Sequence, residues 1–229
     1  AESEPELAAA VNVEAPAALA AALAETGGRL LQISTDFVFD GGQGSPYRPD
    51  QTPSPLGVYG ASKAAGEQAV LEALPQGRAV VLRTSWLYGP VGYNFCRTML
   101  CLHRTRAAAG EPLRVVADQV GCPTSTLGLA EACWRLIGLN LPPILHWSDA
   151  GVASWYDFAV AIGELALEAG LLEQCAPVVP ITTADYPTPA RRPSYSLLDC
   201  TQTHALLGLQ SPHWRTALAQ VLTEVLAMV

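Results

Sequence analysis

Two apolar runs that turn polar at the same end decide the fold: Leu30-Leu31-Gln32-Ile33 runs into Ser34-Thr35-Asp36, and Ala79-Val80-Val81-Leu82 runs into Arg83-Thr84-Ser85-Trp86. Each is short enough for a strand and continuous enough to be buried on both faces, the pattern of a parallel sheet whose C-terminal edge carries a site. Between them a Gly/Pro loop over 40–56 leads into a helix predicted over 58–74, so strand, helix and strand form a βαβ unit.

Outward from that unit, the Ala- and Leu-rich stretch 6–25 predicts a helix ending at Gly27-Gly28, with Pro16 either kinking it or starting a second helix. Toward the C-terminus the spacing predicts helices over about 94–109 and 126–137, the latter with Leu129, Ala130, Cys133, Trp134 and Ile137 on its apolar face. Strands are predicted over 113–117, 144–147 and 177–181. Ser154 and Asp157 form a capping box that opens a further helix closed by Gly170, and two terminal helices start at Thr201 and Ser211-Pro212. The fold class is α/β, a parallel sheet with an appended smaller α/β lobe.

Half of the 229 residues are apolar and 15% are charged, which fits a compact folded protein and excludes a disordered or fibrous one. The net charge of -8 makes nucleic acid and anionic membrane poor candidates for a partner. No apolar run approaches the roughly 18 to 20 residues expected of a membrane span. The six cysteines have no C-x-x-C pairing and no histidines at metal-ligand spacing, so they are expected as thiols of a reducing, cytoplasmic compartment.

Twelve of the thirteen basic residues are Arg; Lys63 is the only lysine. It lies four residues after Tyr59 in the helix predicted between the two strands, so both side chains project from one face. A phenol titrates near 10 and is a sluggish acid at neutral pH; a fixed ammonium beside it favours the phenolate and makes Tyr59 a usable proton donor. A bare Y-x-x-x-K is weak, but with seven tyrosines in 229 residues a lone lysine lands at that spacing in about 3% of placements. Ser34 and Thr35, at the polar end of the neighbouring strand, add hydroxyls for the same reacting oxygen. The residues alone favour hydride or proton chemistry over an ordinary tyrosine beside a solvated lysine.

The blocks Ser34-Thr35-Asp36-Phe37-Val38-Phe39-Asp40-Gly41, Tyr59-Gly60-Ala61-Ser62-Lys63-Ala64-Ala65-Gly66-Glu67 and Arg83-Thr84-Ser85-Trp86-Leu87-Tyr88-Gly89 resemble the extended short-chain dehydrogenase/reductases. Within them the likeness is to the branch acting on dTDP-4-keto-6-deoxy sugars, and it continues through Asp118-Gln119-Val120-Gly121-Cys122-Pro123-Thr124 and Pro187-Thr188-Pro189-Ala190-Arg191-Arg192-Pro193. The resemblance implies a Rossmann-like sheet over 1–88 and 125–148, and a sugar-nucleotide lobe over 89–124 and 149–229. It implies reduction of the C4 ketone of dTDP-4-dehydro-6-deoxy-L-mannose to dTDP-L-rhamnose by NADPH or NADH, and it admits a divalent metal and a homodimer. Thr35, Tyr59 and Lys63 match the catalytic trio, with Tyr59 and Lys63 also meeting the cofactor; Asp36, Phe37 and Trp86 match positions that line the sugar pocket.

Two departures qualify the resemblance. Phe37 stands where relatives often carry Tyr, and it also lacks the second acid that the related dehydratases place there, which ranks reduction above elimination. The phosphate-cradling turn G-x-x-G-x-x-G is absent from the sequence: Gly27-Gly28 precedes a strand, and Gly41-Gly42-Gln43-Gly44 opens no immediate helix. The expectation is a chain truncated before its Glu2-Ser3-Glu4-Pro5 segment, with an open sheet edge and poor binding of dinucleotide. The loss of that turn keeps a non-catalytic relative in view, such as a regulatory subunit on the same fold, beside another epimerase or dehydratase of the family.

Overall fold

A computed structural model describes residues 1–74 and 77–228. In chain order the elements are α1 (Pro5–Ala9), a π-helical turn (Ala10–Glu14), α2 (Ala15–Thr26), β1 (Leu30–Thr35), α3 (Val58–Ala73), β2 (Ala79–Thr84), β3 (Leu87–Tyr88), α4 (Phe95–Ala109), β4 (Leu113–Val116), β5 (Val120–Gly121) and β6 (Thr124–Ser125). They continue with α5 (Thr126–Leu136), β7 (Ile144–His146), β8 (Ala153–Ser154), α6 (Trp155–Glu168), β9 (Val178–Ile181), α7 (Thr201–Leu207) and α8 (Trp214–Ala227).

The chain divides into two compact units. The first comprises Ala1–Ser85, Ala132–Trp147 and Thr188–Leu209, and the second the remainder. This division departs from the sequence expectation at 86–88, 125–131 and 148, which fall in the second unit, and at 188–209, which falls in the first. The second shift has a local cause, because Tyr47 pairs with Leu198 in a parallel bridge and joins it in a core cluster with Val38, Phe39 and Cys200.

The first unit is built on a parallel sheet of order β1-β2-β7. All six residues of β2 are buried, as its unbroken apolar run requires of a central strand. β1 and α3 with β2 form the anticipated βαβ unit, and the register sets Ser34 opposite Arg83 and Thr35 opposite Thr84. Ala20 of α2 packs with Val70, Leu74 and Ala79 over the opposite end of the strands. Two glycines let α3 lie close to its neighbours. A Cβ at Gly60 would collide with the carbonyl oxygen of Phe37, and one at Gly66 with that of Asn12.

The second unit contains three short two-stranded pairings: β3 with β6, β4 with β9, and β5 antiparallel to β8. Phe158, Ala161, Ile162, Leu218, Val221 and Leu222, from α6 and α8, are buried in it.

One expectation is corrected. On α5 the buried positions are Leu129, Ala132 and Leu136, while Trp134 and Ile137 are 75% and 62% exposed; the helix is rotated so that small and aliphatic residues face inward. The composite helix Pro5–Thr26 is 22 residues long and its most apolar 18-residue stretch has a mean hydropathy of 1.6, enough by length and composition alone to cross a membrane. Its alanines carry the average past the interrupting acids, which a search for unbroken apolar runs overlooks.

Candidate active site

The polar end of β1 and the first two turns of α3 hold five of the six expected site residues: Thr35, Asp36, Phe37, Tyr59 and Lys63. α3 starts at Val58, whose amide donates to Glu2 Oε1 at 2.8 Å, so a carboxylate distant in sequence caps the helix. A second distant support comes from the π-helical turn: Asn12 Nδ2 donates to Ser62 Oγ at 3.0 Å, and Ser62 Oγ donates to the carbonyl of Tyr59 at 3.0 Å. Sequence reading missed both, although a π turn inside a helix is itself a common mark of a functional site.

Lys63 Nζ donates to the carbonyl of Ile33 at 2.7 Å, leaving two of its three hydrogens for other partners. Burial pushes the Lys63 ammonium below its ordinary range, while the Glu67 carboxylate opposes the shift. Tyr59 is 39% exposed, with Phe37 set edge-on against its ring at a centroid distance of 5.9 Å. Its phenol is raised above 10 by burial; the Thr35 hydroxyl acts in the opposite direction and the Asp36 charge adds to the rise. The expected depression of this phenol by Lys63 is therefore not met: Lys63 is directed to the strand carbonyl and is not among the groups that shift Tyr59.

Thr35 Oγ1 donates to Asp36 Oδ1 at 3.0 Å and accepts from the amide of Phe37 at 3.2 Å. Asp36 is buried and its Oδ2 has no partner, so ionisation is costly. Burial pushes its pKa up to about 6 against the lowering hydrogen bonds of Ser196 and Thr35. Ser196 comes from the segment 188–209, which the sequence had assigned elsewhere.

Deeper in the same unit, Glu67 meets Arg83. The Arg83 Nη2 to Glu67 Oε2 distance is 2.7 Å and both side chains are almost wholly buried. Ser34 Oγ donates to Glu67 Oε1.

The sixth residue, Trp86, belongs to the second unit. It is the only non-glycine with positive φ among the described residues, at 45°, a strain that a site of use commonly retains. Its indole stacks on Trp155 at 3.6 Å between centroids with planes 4° apart, and Phe95 tilts onto Trp155 at 4.7 Å. Trp155 Nε1 donates to Gln119 Oε1 at 3.1 Å, and Gln119 Nε2 donates to Thr183 Oγ1 at 3.0 Å. Trp155 and Gln119 were not singled out beforehand; Gln119 sits in a block that was.

Among the described residues no cluster of three His, Cys, Asp or Glu side chains is arranged to hold a metal ion. Lys63 and the half-exposed Tyr59 fit a polar ligand such as a cofactor ribose, since both retain hydrogen-bonding capacity beside the strand end.

Residues 1–227 match the family described as RmlD substrate binding domain. The chain is 40% identical over 227 residues to the dTDP-4-dehydrorhamnose reductase of Aggregatibacter actinomycetemcomitans, covering 96% of this chain and 75% of that relative. It is 44% identical over 229 residues to the dTDP-4-dehydrorhamnose reductase of Mycobacterium tuberculosis, covering 97% of this chain and 71% of the relative. Among solved structures, the dTDP-4-dehydrorhamnose reductase of Bacillus anthracis in complex with NADP superposes with a TM-score of 0.89 at 37% identity, over 98% of this chain and 75% of that one.

Proposed function

The chain belongs to the RmlD substrate binding domain family, and on that premise we propose that it reduces the C4 ketone of dTDP-4-dehydro-6-deoxy-L-mannose to dTDP-L-rhamnose with NADPH or NADH. The names of its relatives support the substrate, and NADP in the Bacillus anthracis structure supports the phosphorylated cofactor. The observation that carries the reading is local: Tyr59 and Lys63, one turn apart on α3, both lie against the last residues of β1, beside the Thr35 hydroxyl.

The nicotinamide supplies the hydride that adds to C4. Tyr59 gives its phenolic proton to the C4 oxygen as charge develops there, and its raised pKa keeps that proton in place until the oxygen becomes basic. Lys63, fixed by the Ile33 carbonyl, has two remaining hydrogens with which it would hold the ribose of the cofactor. Thr35 orients the ketone oxygen. Its hydroxyl has one hydrogen, now directed at Asp36; with Asp36 protonated, the acid hydrogen satisfies the Thr35 oxygen and releases the Thr35 hydrogen to the substrate. We assign Asp36 and Phe37 to contacts with the sugar, and the Trp86 indole to packing against an apolar face of the substrate. Phe37 brings no proton-transfer group, which favours reduction over elimination. The first unit thus supplies the proton and ribose contacts.

The test is loss of NADPH absorbance on mixing the chain with the dTDP-4-keto sugar, with the product identified by mass and NMR. Formation of dTDP-L-rhamnose is expected at high NADPH concentration, since the sequence lacks the glycine-rich turn that cradles the cofactor phosphates. Absence of turnover, or a dehydrated or epimerised product, would overturn the reading.

A further inference from the structure

α3 carries three polar side chains at four-residue spacing, and each engages one of the last three residues of β1. Lys63 meets the carbonyl of Ile33, Glu67 the hydroxyl of Ser34, and Tyr59 the hydroxyl of Thr35. Two of the three belong to the proposed chemistry. Glu67 does not, and it is the most buried of them.

Its carboxylate is fully engaged. Arg83 Nε lies 3.0 and 3.2 Å from the two oxygens and Nη2 lies 2.7 Å from Oε2, while Ser34 occupies Oε1 as well. Arg83 is held in turn. Its Nη1 is 3.5 Å from the Pro49 carbonyl and 3.4 Å from His146 Nε2, and its guanidinium lies over the Phe39 ring at 5.1 Å. Burial first, and Arg83 second, push the His146 imidazole down to about 3, so it is neutral. Its Nδ1 hydrogen then belongs to the Tyr47 carbonyl at 3.1 Å, and Nε2 is left to accept from Arg83. Because Arg83 stands opposite Ser34 in the sheet register, the carboxylate joins α3, β1 and β2 at one point.

Stability is a poor reason for such a pair. Replacing a buried ion pair by apolar groups of similar volume is often neutral or favourable, since desolvation offsets most of the attraction. What an apolar contact would not supply is a fixed height of α3 along β1 and a negative charge one turn from Lys63. We propose that Glu67, clamped by Arg83 and Ser34, is a positioning residue that sets Lys63 and Tyr59 against the end of β1 and electrostatically supports the Lys63 ammonium. The catalytic consequence rests on the reductase reading; the placement of Lys63 does not.

The charged and titratable groups concerned are Glu67 and Tyr59 on α3, Arg83 on β2 and Asp36 after β1. Lys63 is the only lysine in the sequence, so lysine-specific carbon labelling gives one Cε resonance whose titration reads this site directly. In a Glu67→Gln/Arg83→Met variant, folded by circular dichroism, the Lys63 midpoint is expected to fall by roughly half a unit to one unit, because the attraction to the carboxylate is lost. Glu67→Gln alone, which retains an acceptor for Ser34, is expected to shift it in the same direction. A merely structural Glu67 leaves the midpoint of a folded variant unchanged, and that result would overturn the proposal. Failure of both variants to fold would overturn it too, since the pair would then be sustaining the fold. For turnover, kcat is expected to fall at least tenfold with little change in the sugar KM. If the unmodified chain shows no reduction, the reductase reading fails while the Lys63 titration still decides the role of Glu67.

Discussion

The first unit fixes its candidate residues with polar struts, whereas the second fixes its own with stacked rings. Tyr59, Lys63 and Thr35 sit on a helix and a strand and are tied to carbonyls, hydroxyls and a buried carboxylate. Trp86 sits where the backbone is strained, held by a parallel stack on Trp155. A group that moves a proton needs its direction set, which hydrogen bonds on regular elements do; a group that presents a flat apolar face needs only its plane set. The sharpest break between the two is kinetic. Tyr59→Phe is expected to lower kcat by about 10²- to 10⁴-fold with nucleotide-sugar binding nearly intact, as for loss of a general acid. Trp86→Phe is expected to raise the sugar KM and spare kcat. Steady-state kinetics with binding calorimetry checks both, and equal losses of binding and turnover in Tyr59→Phe would remove the distinction.

The units differ in the same way in their ion pairs. Arg83 with Glu67 is buried in the first, while Arg215 with Glu164 in the second is 42% and 51% exposed at a similar 2.9 Å. Arg83→Met leaves a buried carboxylate uncompensated and is expected to cost about 3–5 kcal/mol. Arg215→Met is expected to cost less than about 1 kcal/mol, since solvent screens the pair it breaks. Denaturant melts of the two variants give the comparison, and near-equal losses would show that burial is not what separates them.

Each unit also hides one carboxyl whose pKa is raised: Asp36 to about 6 and Asp149 to about 7, both by burial, with hydrogen bonds opposing the shift. The folded state therefore holds a proton at each that the unfolded state releases near 3.8, so stability from these groups is present at low pH and falls as pH rises through that window. His146, pushed down to about 3, works in the other direction below 6.5, so the effect must be read as a difference. Relative to the unmodified protein, Asp149→Asn is expected to gain stability between about pH 4 and pH 7. Asp36→Asn is expected to flatten the fall in kcat that accompanies loss of the Asp36 proton, because the amide can donate to Thr35 at any pH. A variant melt that parallels the original across the range would contradict the first, and an unchanged pH–rate profile the second.

The parts of the fold legible in the sequence are those set by local pattern. The two buried runs, the helix between them and the capping box at Ser154 all stand where hydrophobic period and turn chemistry put them. The five residues brought together in the first unit share one strand end and one helix face, so their proximity follows from spacing four apart and from the βαβ topology. What stayed hidden depends on partners remote in the chain. Glu2 capping α3, Asn12 holding Ser62, Ser196 on Asp36 and Arg83 on Glu67 have no short-range signature. The missed strands β3, β5, β6 and β8 have two residues each, too few for any period to register. Trp134 misled because an aromatic at helical spacing reads as core whether or not a partner covers it.

The smallest expected effect concerns how the stacked rings are held. Trp155 Nε1 has Gln119 as its hydrogen-bond partner, and Gln119 is steadied through Thr183, so the plane of Trp155 is set by a polar chain at its edge. Gln119→Leu removes that chain while keeping volume, at an expected cost of about 1 kcal/mol, the usual net worth of one hydrogen bond. Stability alone would hardly register the change, but two indoles 3.6 Å apart with planes 4° from parallel couple their transitions. The unmodified protein is therefore expected to show an exciton couplet in its circular dichroism, weakened in Gln119→Leu and abolished in Trp155→Phe. A couplet that survives Gln119→Leu at full strength would mean that Phe95 and the strained Trp86 backbone already fix the stack, and that the second unit holds its rings by packing alone.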